Sequence, residues 1–424
     1  MALADCELAA KLGTDLLKFD GSEYTVKWLV DILKETHGEF GETLKSDRIL
    51  HLRVDINDIG DGKGHLSKVY RAIFQFENRR SPLDVIVKFP VLSVINKIRK
   101  DAGMDPLNSL SEDAQFVFEA HNHECLFYEM MANADRDAPF VPKVFFIAET
   151  DPKQDIQGAL VMESFFGRTG GLHFFDYVSP NQTMSIAVGL AKLHAFAYQL
   201  PGQPWRQREG EAFYTDRMVE AAERIEKAAV EYELKDFDKI QSIRTRTFFR
   251  YTAYYRSKEL NAVGLVHGDC WGQNVLFNLN ENGTVSDDLV AFIDFQMCNA
   301  GNSLSDLARW MTACVDADVR REITGAVLDT YYNTLVAEFS KSNAPAPFSR
   351  HVVQELYDLA VIQQVFVCVL LTPVYCKKSH STVEGVDEAR IAKWVLRVKL
   401  LLQDVDKLVE KYQLKEKFDL SKGV

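Results

Sequence analysis

Residues 265–277 read LVHGDCWGQNVLF, and after a polar spacer residues 289–295 read LVAFIDF. The first piece is an apolar strand running into a polar loop, and the second is an apolar strand closing on an aspartate. Asn282-Gly283 between them is a tight-turn dipeptide, so a hairpin is expected there. The hairpin brings Asp269, Asn274 and Asp294 together. Phosphoryl transfer needs such a trio. One carboxylate accepts the proton of an attacking hydroxyl, while an amide oxygen and a second carboxylate hold the magnesium that bridges nucleotide phosphates. A loop rich in Asp, Asn and Gly can be a mere turn, but a turn alone needs no Asp-Phe beyond the hairpin.

The chain has 424 residues, 47% hydrophobic and 26% charged, which predicts a soluble globular protein with a large core and two or three domain-sized units. A net charge of −12 and the lack of a Lys/Arg run argue against nucleic acid or an anionic membrane as partner. The seven cysteines are scattered and include no Cys-x-x-Cys pair, which favours reduced thiols and a cytoplasmic setting. The N-terminal MALADCELAAKLG has early acids and no long apolar core, so it makes a poor signal peptide. The apolar run Ala360 to Leu371 is broken by Gln363 and Gln364 and followed by Pro373. It reads as a buried helix too short to span a bilayer.

Outward from the hairpin the chain changes character once. Residues 22–37 carry helical spacing, with Ser22 as N-cap and Gly38 as stop. From Leu50 the period becomes two, through Ile56, again through Tyr70 to Phe76, and in the dense strand DVIVKFP at 84–90. Residues 111–134 read as a helix, and 143–149 and 158–164 as strands. Beyond Phe165 helices dominate: 181–199, 212–230, 238–259, 303–314, 318–340, 350–371 and 386–412. The expectation is a helical extension over 1–48, a small antiparallel-sheet lobe over 49–165, and a large, mainly helical lobe over 166–424 that contains the loop 265–296. In the last helix Ile391, Val395, Val398, Leu402, Val405, Val409 and Tyr412 step by four and three. That seam suits a dimer helix or, preferably, an amphipathic helix packed on its own lobe. The expected state is a monomer or weak homodimer.

Other residues complete a nucleotide site. Gly60, Gly62 and Gly64 form a G-x-G-x-G turn whose backbone N–H groups can approach phosphate oxygens. Ser67 and Lys68 follow at the next strand. Lys88 lies inside the apolar VIVKF, where an ammonium needs a compensating anion: nucleotide phosphates and one carboxylate of the following helix. Glu124 is the candidate, with Glu119 and Glu129 on other faces. His121 and His123, two apart on a helix, point in different directions and do not make a metal site. The backbone at Glu163 and Phe165 is placed to hydrogen-bond an adenine ring. Asp306, at the start of a helix, is placed to receive backbone N–H groups of the 265–296 loop or of its neighbours.

The strings IGDGKGHLSKVYR, VIVKF, ECLFYEMM, LVMES, GLAKLHAFAY, VHGDCWGQNVLF, AFIDFQ and SDLARW together resemble the choline kinase and aminoglycoside phosphotransferase superfamily. Within it the chain is most similar to the CHK kinase-like branch, which includes ecdysteroid kinase-like proteins. The likeness covers about residues 50 to 340. It implies an α+β, protein-kinase-like bilobal fold that binds ATP and Mg2+ and phosphorylates a hydroxyl. It implies Asp269 as catalytic base, Asn274 and Asp294 as magnesium ligands, Lys88 on the phosphates with Glu124 as its partner, and His267 as a prop of the loop. Gly268 stands where protein kinases have Arg, and Gln296 where they have Gly. The interval from Asp294 to Asp306 (306 − 294 = 12) is shorter than a peptide-docking segment, so a small hydroxylated substrate is expected. An apolar alcohol such as a steroid or xenobiotic would suit the aromatics Trp271, Trp310, Tyr331, Tyr332 and Phe366. A quaternary amine would suit them through cation–π contacts. The alternatives are a choline/ethanolamine-type kinase and a nucleotide-binding scaffold without turnover.

Overall fold

A computed structural model of the chain describes residues 6–7, 18–19, 22–56, 67–101, 105–107, 112–207, 218–376 and 381–418. By its contacts the chain divides into two units, Met1–Asp137 with Pro142–Phe166, and Ala138–Val141 with Gly167–Val424. The class is α+β. All the described strand pairs are antiparallel.

The first unit is built on a six-stranded sheet of β1 (Cys6–Glu7), β2 (Ile49–Ile56), β3 (Ser67–Phe76), β4 (Leu83–Pro90), β5 (Val144–Ala148) and β6 (Ala159–Glu163), in the order β1-β2-β3-β4-β6-β5. The period-two pattern buries Tyr70, Ala72, Phe74 and Phe76 of β3 with Val85, Val87 and Phe89 of β4 in one core. Phe19, Val26, Leu29, Leu33 and Phe40 belong to that same core, so the N-terminal helices α1 (Val26–Thr36) and α2 (Gly38–Ser46) are part of the unit's packing. The expected cap is displaced: Thr25, not Ser22, accepts the N–H of Trp28, and Ser22 bonds Tyr24 instead. Gly38 does not stop the chain's helicity. His37 ends α1, and its Nδ1 accepts from Phe40 N to open α2. Helices α3 (Leu92–Asp101) and α4 (Glu112–Ala132) follow β4.

The second unit is mainly helical: α5 (Pro180–Gln199), α6 (Ala222–Glu231), α7 (Leu304–Ala313), α8 (Ala317–Ser340), α9 (Arg350–Tyr375) and α10 (Val386–Lys411). A capping box between Ser179 and Gln182 opens α5. The helix expected over 238–259 is broken into short turns, and its last part, Arg246–Glu259, contains a π turn at Tyr251–Tyr255. Strand β7 (Thr169–Gly170) joins the hairpin of β9 (Val275–Leu279) and β10 (Val285–Phe292). Gly283 has φ 79°, and Asn280 N donates to Thr284 O at 2.8 Å, closing the Asn282-Gly283 turn. Strand β8 (Val263–Val266) pairs instead with an unexpected partner, β11 (Asn299–Asn302).

Helix α9 runs past Leu371 to Tyr375 with Pro373 inside it, at the cost of the hydrogen bond that an N–H there would give the carbonyl of Val369. By length and composition α9 could cross a bilayer, with a mean hydropathy of 1.7, but 78% of that apolar window is buried inside the protein. The seam residues Val398, Leu402, Val405 and Val409 of α10 are buried in their own unit, the packed alternative of the two expected for that helix. Trp310, Tyr331 and Phe366 are likewise fully buried core residues, so they are not free to wall an acceptor site.

Candidate functional site

The loop between β8 and β9 hangs from one buried carboxylate. Asp306, in the first turn of α7 and 1% exposed, accepts His267 N at 2.7 Å on Oδ2 and Gly268 N at 2.9 Å on Oδ1. Burial pushes its carboxyl up from the usual range, while the two N–H groups and His267 pull it down. Gly268 has φ 85°, and a Cβ there would lie 2.4 Å from Met297 O, so only glycine fits. His267 is buried and props the loop at both ring nitrogens. Nδ1 accepts Asp269 N at 3.2 Å, which leaves Nε2 as the donor to Ile293 O at 3.0 Å. Burial lowers the His267 pKa, in keeping with a neutral ring.

This suspension brings Asp269 and Asn274 into contact. Asn274 Nδ2 donates at 3.0 Å to both the carbonyl and Oδ2 of Asp269, and Trp271 Nε1 donates to the same Oδ2 at 3.1 Å. Arg309 Nη2 stands 3.6 Å from Oδ1. The Asp269 carboxyl is raised above its usual range, first by burial. Arg309 opposes that shift and the Asp294 charge adds to it. Ile293 N bonds Asn274 O at 2.9 Å, so Asp294 begins one residue beyond that link, in left-handed backbone with φ 67° and ψ 61°. An aspartate tolerates that region better than most residues.

The carboxylate has an aromatic flank. Phe174 stacks on Trp271 at 4.3 Å and 7° and meets Tyr375 at 3.8 Å. The carbonyl of Phe174 is held at 3.0 Å by Arg397 of α10, a side chain 2% exposed. Sequence reasoning missed Arg309, Phe174 and Arg397. Arg309 had a signal, since it lies three residues after Asp306 and so on the same helix face. Phe174 and Arg397 had none, because their pairing crosses more than two hundred residues of chain.

In the first unit Lys88 Nζ meets Glu124 Oε2 at 2.5 Å, both side chains buried. Glu119 and Glu129 are exposed, as their other faces of α4 require. His121 instead bonds Ala148 O at 2.9 Å. Ser67 starts β3, opposite Pro90. Gly60, Gly62 and Gly64 lie outside the described residues. Glu163 N donates to Lys143 O at 2.8 Å, so the edge strand already takes the N–H expected for a base; Phe165 is half-buried two residues on.

Residues 29–413 match the DUF1679 family, described as "Uncharacterized oxidoreductase dhs-27", and the chain belongs to that family. The Caenorhabditis elegans protein "Uncharacterized oxidoreductase dhs-27" is 25% identical over 340 residues, which cover 78% of this chain. The chain spans only 40% of that relative's length. Among solved structures, a putative aminoglycoside phosphotransferase from Ralstonia eutropha superposes with a TM-score of 0.45 and 12% identity, covering 89% of this chain and 98% of its own. A GDP and kanamycin complex of APH(2") gives 0.42 and 15%, over 86% and 96% of the two chains. Glucosamine kinase gives 0.39 and 12%, over 84% and 81%. Likenesses this distant carry no argument about reaction or substrate.

Proposed function

We propose that the chain is a small-molecule kinase of the choline kinase–aminoglycoside phosphotransferase superfamily, near its CHK kinase-like branch. It would move the γ-phosphate of ATP to a hydroxyl, with magnesium. The observation that carries this reading is the Asp269–Asn274 contact on a loop suspended from Asp306, with Asp294 closing the neighbouring strand. Asp269 takes the proton of the attacking hydroxyl. The Asn274 amide nitrogen is already taken by Asp269, so Oδ1 is the atom that faces a cation. With the Asp294 carboxylate it forms a pair of hard oxygen donors, the type magnesium prefers. Bound magnesium would supply charge neutralisation at the phosphates. Lys88 serves the phosphates and Glu124 fixes its ammonium. Gly60, Gly62, Gly64, Ser67, the Glu163 carbonyl and Phe165 complete the nucleotide contacts in this reading.

The word oxidoreductase belongs to a relative of which this chain spans 40%. A dinucleotide-binding fold is built on parallel βαβ units. Every strand pair among the described residues is antiparallel, which supports the kinase reading over a dehydrogenase one.

The test is incubation with Mg-ATP and a broad panel of alcohols, sterols, glycosides and amino alcohols, with the phosphorylated product identified by mass spectrometry. Asp269→Asn should lower transfer about 100- to 10,000-fold while nucleotide affinity stays within about threefold. A wild-type chain that binds Mg-ATP and phosphorylates nothing would hand the reading to a non-catalytic scaffold.

A further inference from the structure

The two oxygens of Asp269 are not equivalent. Oδ2 is taken by Trp271 and Asn274. Among the described residues Oδ1 faces one donor group, the Arg309 guanidinium, with Nη2 3.6 Å away. That separation is too long for a hydrogen bond and short enough for charge attraction. Oδ1 is therefore the oxygen at which a hydroxyl can give up its proton, and the oxygen of that hydroxyl comes within reach of Arg309.

Arg309 is 8% exposed, and its Nη1 lies 3.4 Å from Gln364 Oε1. With Val266, Gly268, Asp306, Gln363 and Gln364 it also lines a recess of about 30 Å³ of mixed polar and apolar lining, behind the loop and not in contact with Asp269. Gln363 Oε1 is buried there without a hydrogen-bond partner. The recess has room for one group the size of a water.

We infer that Arg309 is a further catalytic residue, facing the attacking oxygen, and that it restricts the acceptor to alcohols whose reacting end is neutral or anionic. The inference rests on the phosphotransferase reading. As the O–H proton passes to Asp269 Oδ1, the hydroxyl oxygen forms its bond to the γ-phosphorus. The bond from that phosphorus to the β,γ-bridging oxygen breaks, and ADP leaves with the electron pair. Negative charge develops on the attacking oxygen before the new bond is complete, and the fixed guanidinium stabilises it without reorganising. An ammonium a few bonds from the reacting hydroxyl is repelled by that guanidinium once the transferred proton has neutralised the Asp269 carboxylate that otherwise offsets it, with Asp294 turned to magnesium. The cationic amino alcohols of a choline-type kinase are thereby disfavoured.

The experiment compares wild type, Arg309→Lys, Arg309→Met and Asp269→Asn, each checked for an unchanged melting temperature. ADP release from Mg-ATP is measured with water as acceptor and with matched neutral, anionic and cationic alcohols. Arg309→Met should lose about 10- to 100-fold in kcat at an unchanged KM for ATP, and Arg309→Lys should recover most of it. Millimolar guanidinium, but not urea, should restore part of the Arg309→Met rate, which a merely structural role would not allow. Arg309→Met at the wild-type rate, or a wild type that prefers an ammonium alcohol to its neutral isostere, would overturn the inference and leave the kinase reading intact. Full activity in Asp269→Asn, or no transfer by wild type to water or any alcohol, would overturn both.

Discussion

Lys88 and Glu124 in the sheet unit, and Asp306 in the helical unit, stabilise buried charge by different means. In the first case a cation and an anion meet at 2.5 Å and neutralise one another. In the second a carboxylate is held by two backbone N–H groups at 2.7 and 2.9 Å. The ion pair can be removed as a unit and replaced by apolar side chains, because both partners are side chains. The donors to Asp306 belong to the backbone of His267 and Gly268 and stay in place whatever replaces the carboxylate. A strand and a helix thus present a pair that matched apolar side chains could replace, whereas the loop hangs from its anion.

The largest effect tests this directly. Glu124→Leu should cost about 3–5 kcal/mol by removing the carboxylate partner of a buried ammonium, while Lys88→Met with Glu124→Leu should return to within about 1–2 kcal/mol of wild type. Urea midpoints check both, and a double variant no better than the single one would break the comparison. Asp306→Asn should come next, at about 2–3 kcal/mol, since one N–H loses its acceptor and faces an amide donor. No second side-chain replacement should rescue it, and phosphate transfer should fall with it.

A pH series should show the two units behaving alike. Burial lowers His121 of α4 from 6.5 to about 4, and His194 of α5, bonded to Tyr331, to about 3. Below about pH 6.5 the unfolded chain takes up protons that these folded rings refuse. Their contribution is therefore complete above pH 6.5 and is lost as pH falls towards each folded value. Between pH 6.5 and 5 each should remove about 2 kcal/mol, read from urea midpoints, and His121→Gln should flatten the profile. The smallest expected effects are at the helix caps. Thr25→Ala and Ser179→Ala should each cost about 1 kcal/mol, so any larger difference between the units comes from buried charge.

How much could be read in advance follows the same division. Strands β3 and β4 and the choice of Glu124 over Glu119 and Glu129 follow from periodicity, since a buried face repeats every two residues on a strand and every three or four on a helix. Helix α2 did not show itself, because Gly38 and Gly41 look like breakers. The structure gives Gly41 a reason: a Cβ there would sit 2.6 Å from Lys34 O of α1. Strand β11, Asn-Ala-Gly-Asn, has no apolar alternation and becomes a strand only by pairing with β8.

The order of side chains along 265–295 by itself determined that an aspartate, an asparagine and a second aspartate would gather around one hairpin, because turn chemistry and strand pairing act over short separations. Tertiary structure alone decided how close Arg309 comes to Asp269 Oδ1, and that Phe174 and Arg397 support the flank of that carboxylate. Those contacts join segments far apart in the chain, where no local periodicity reaches and only the packed core fixes who meets whom.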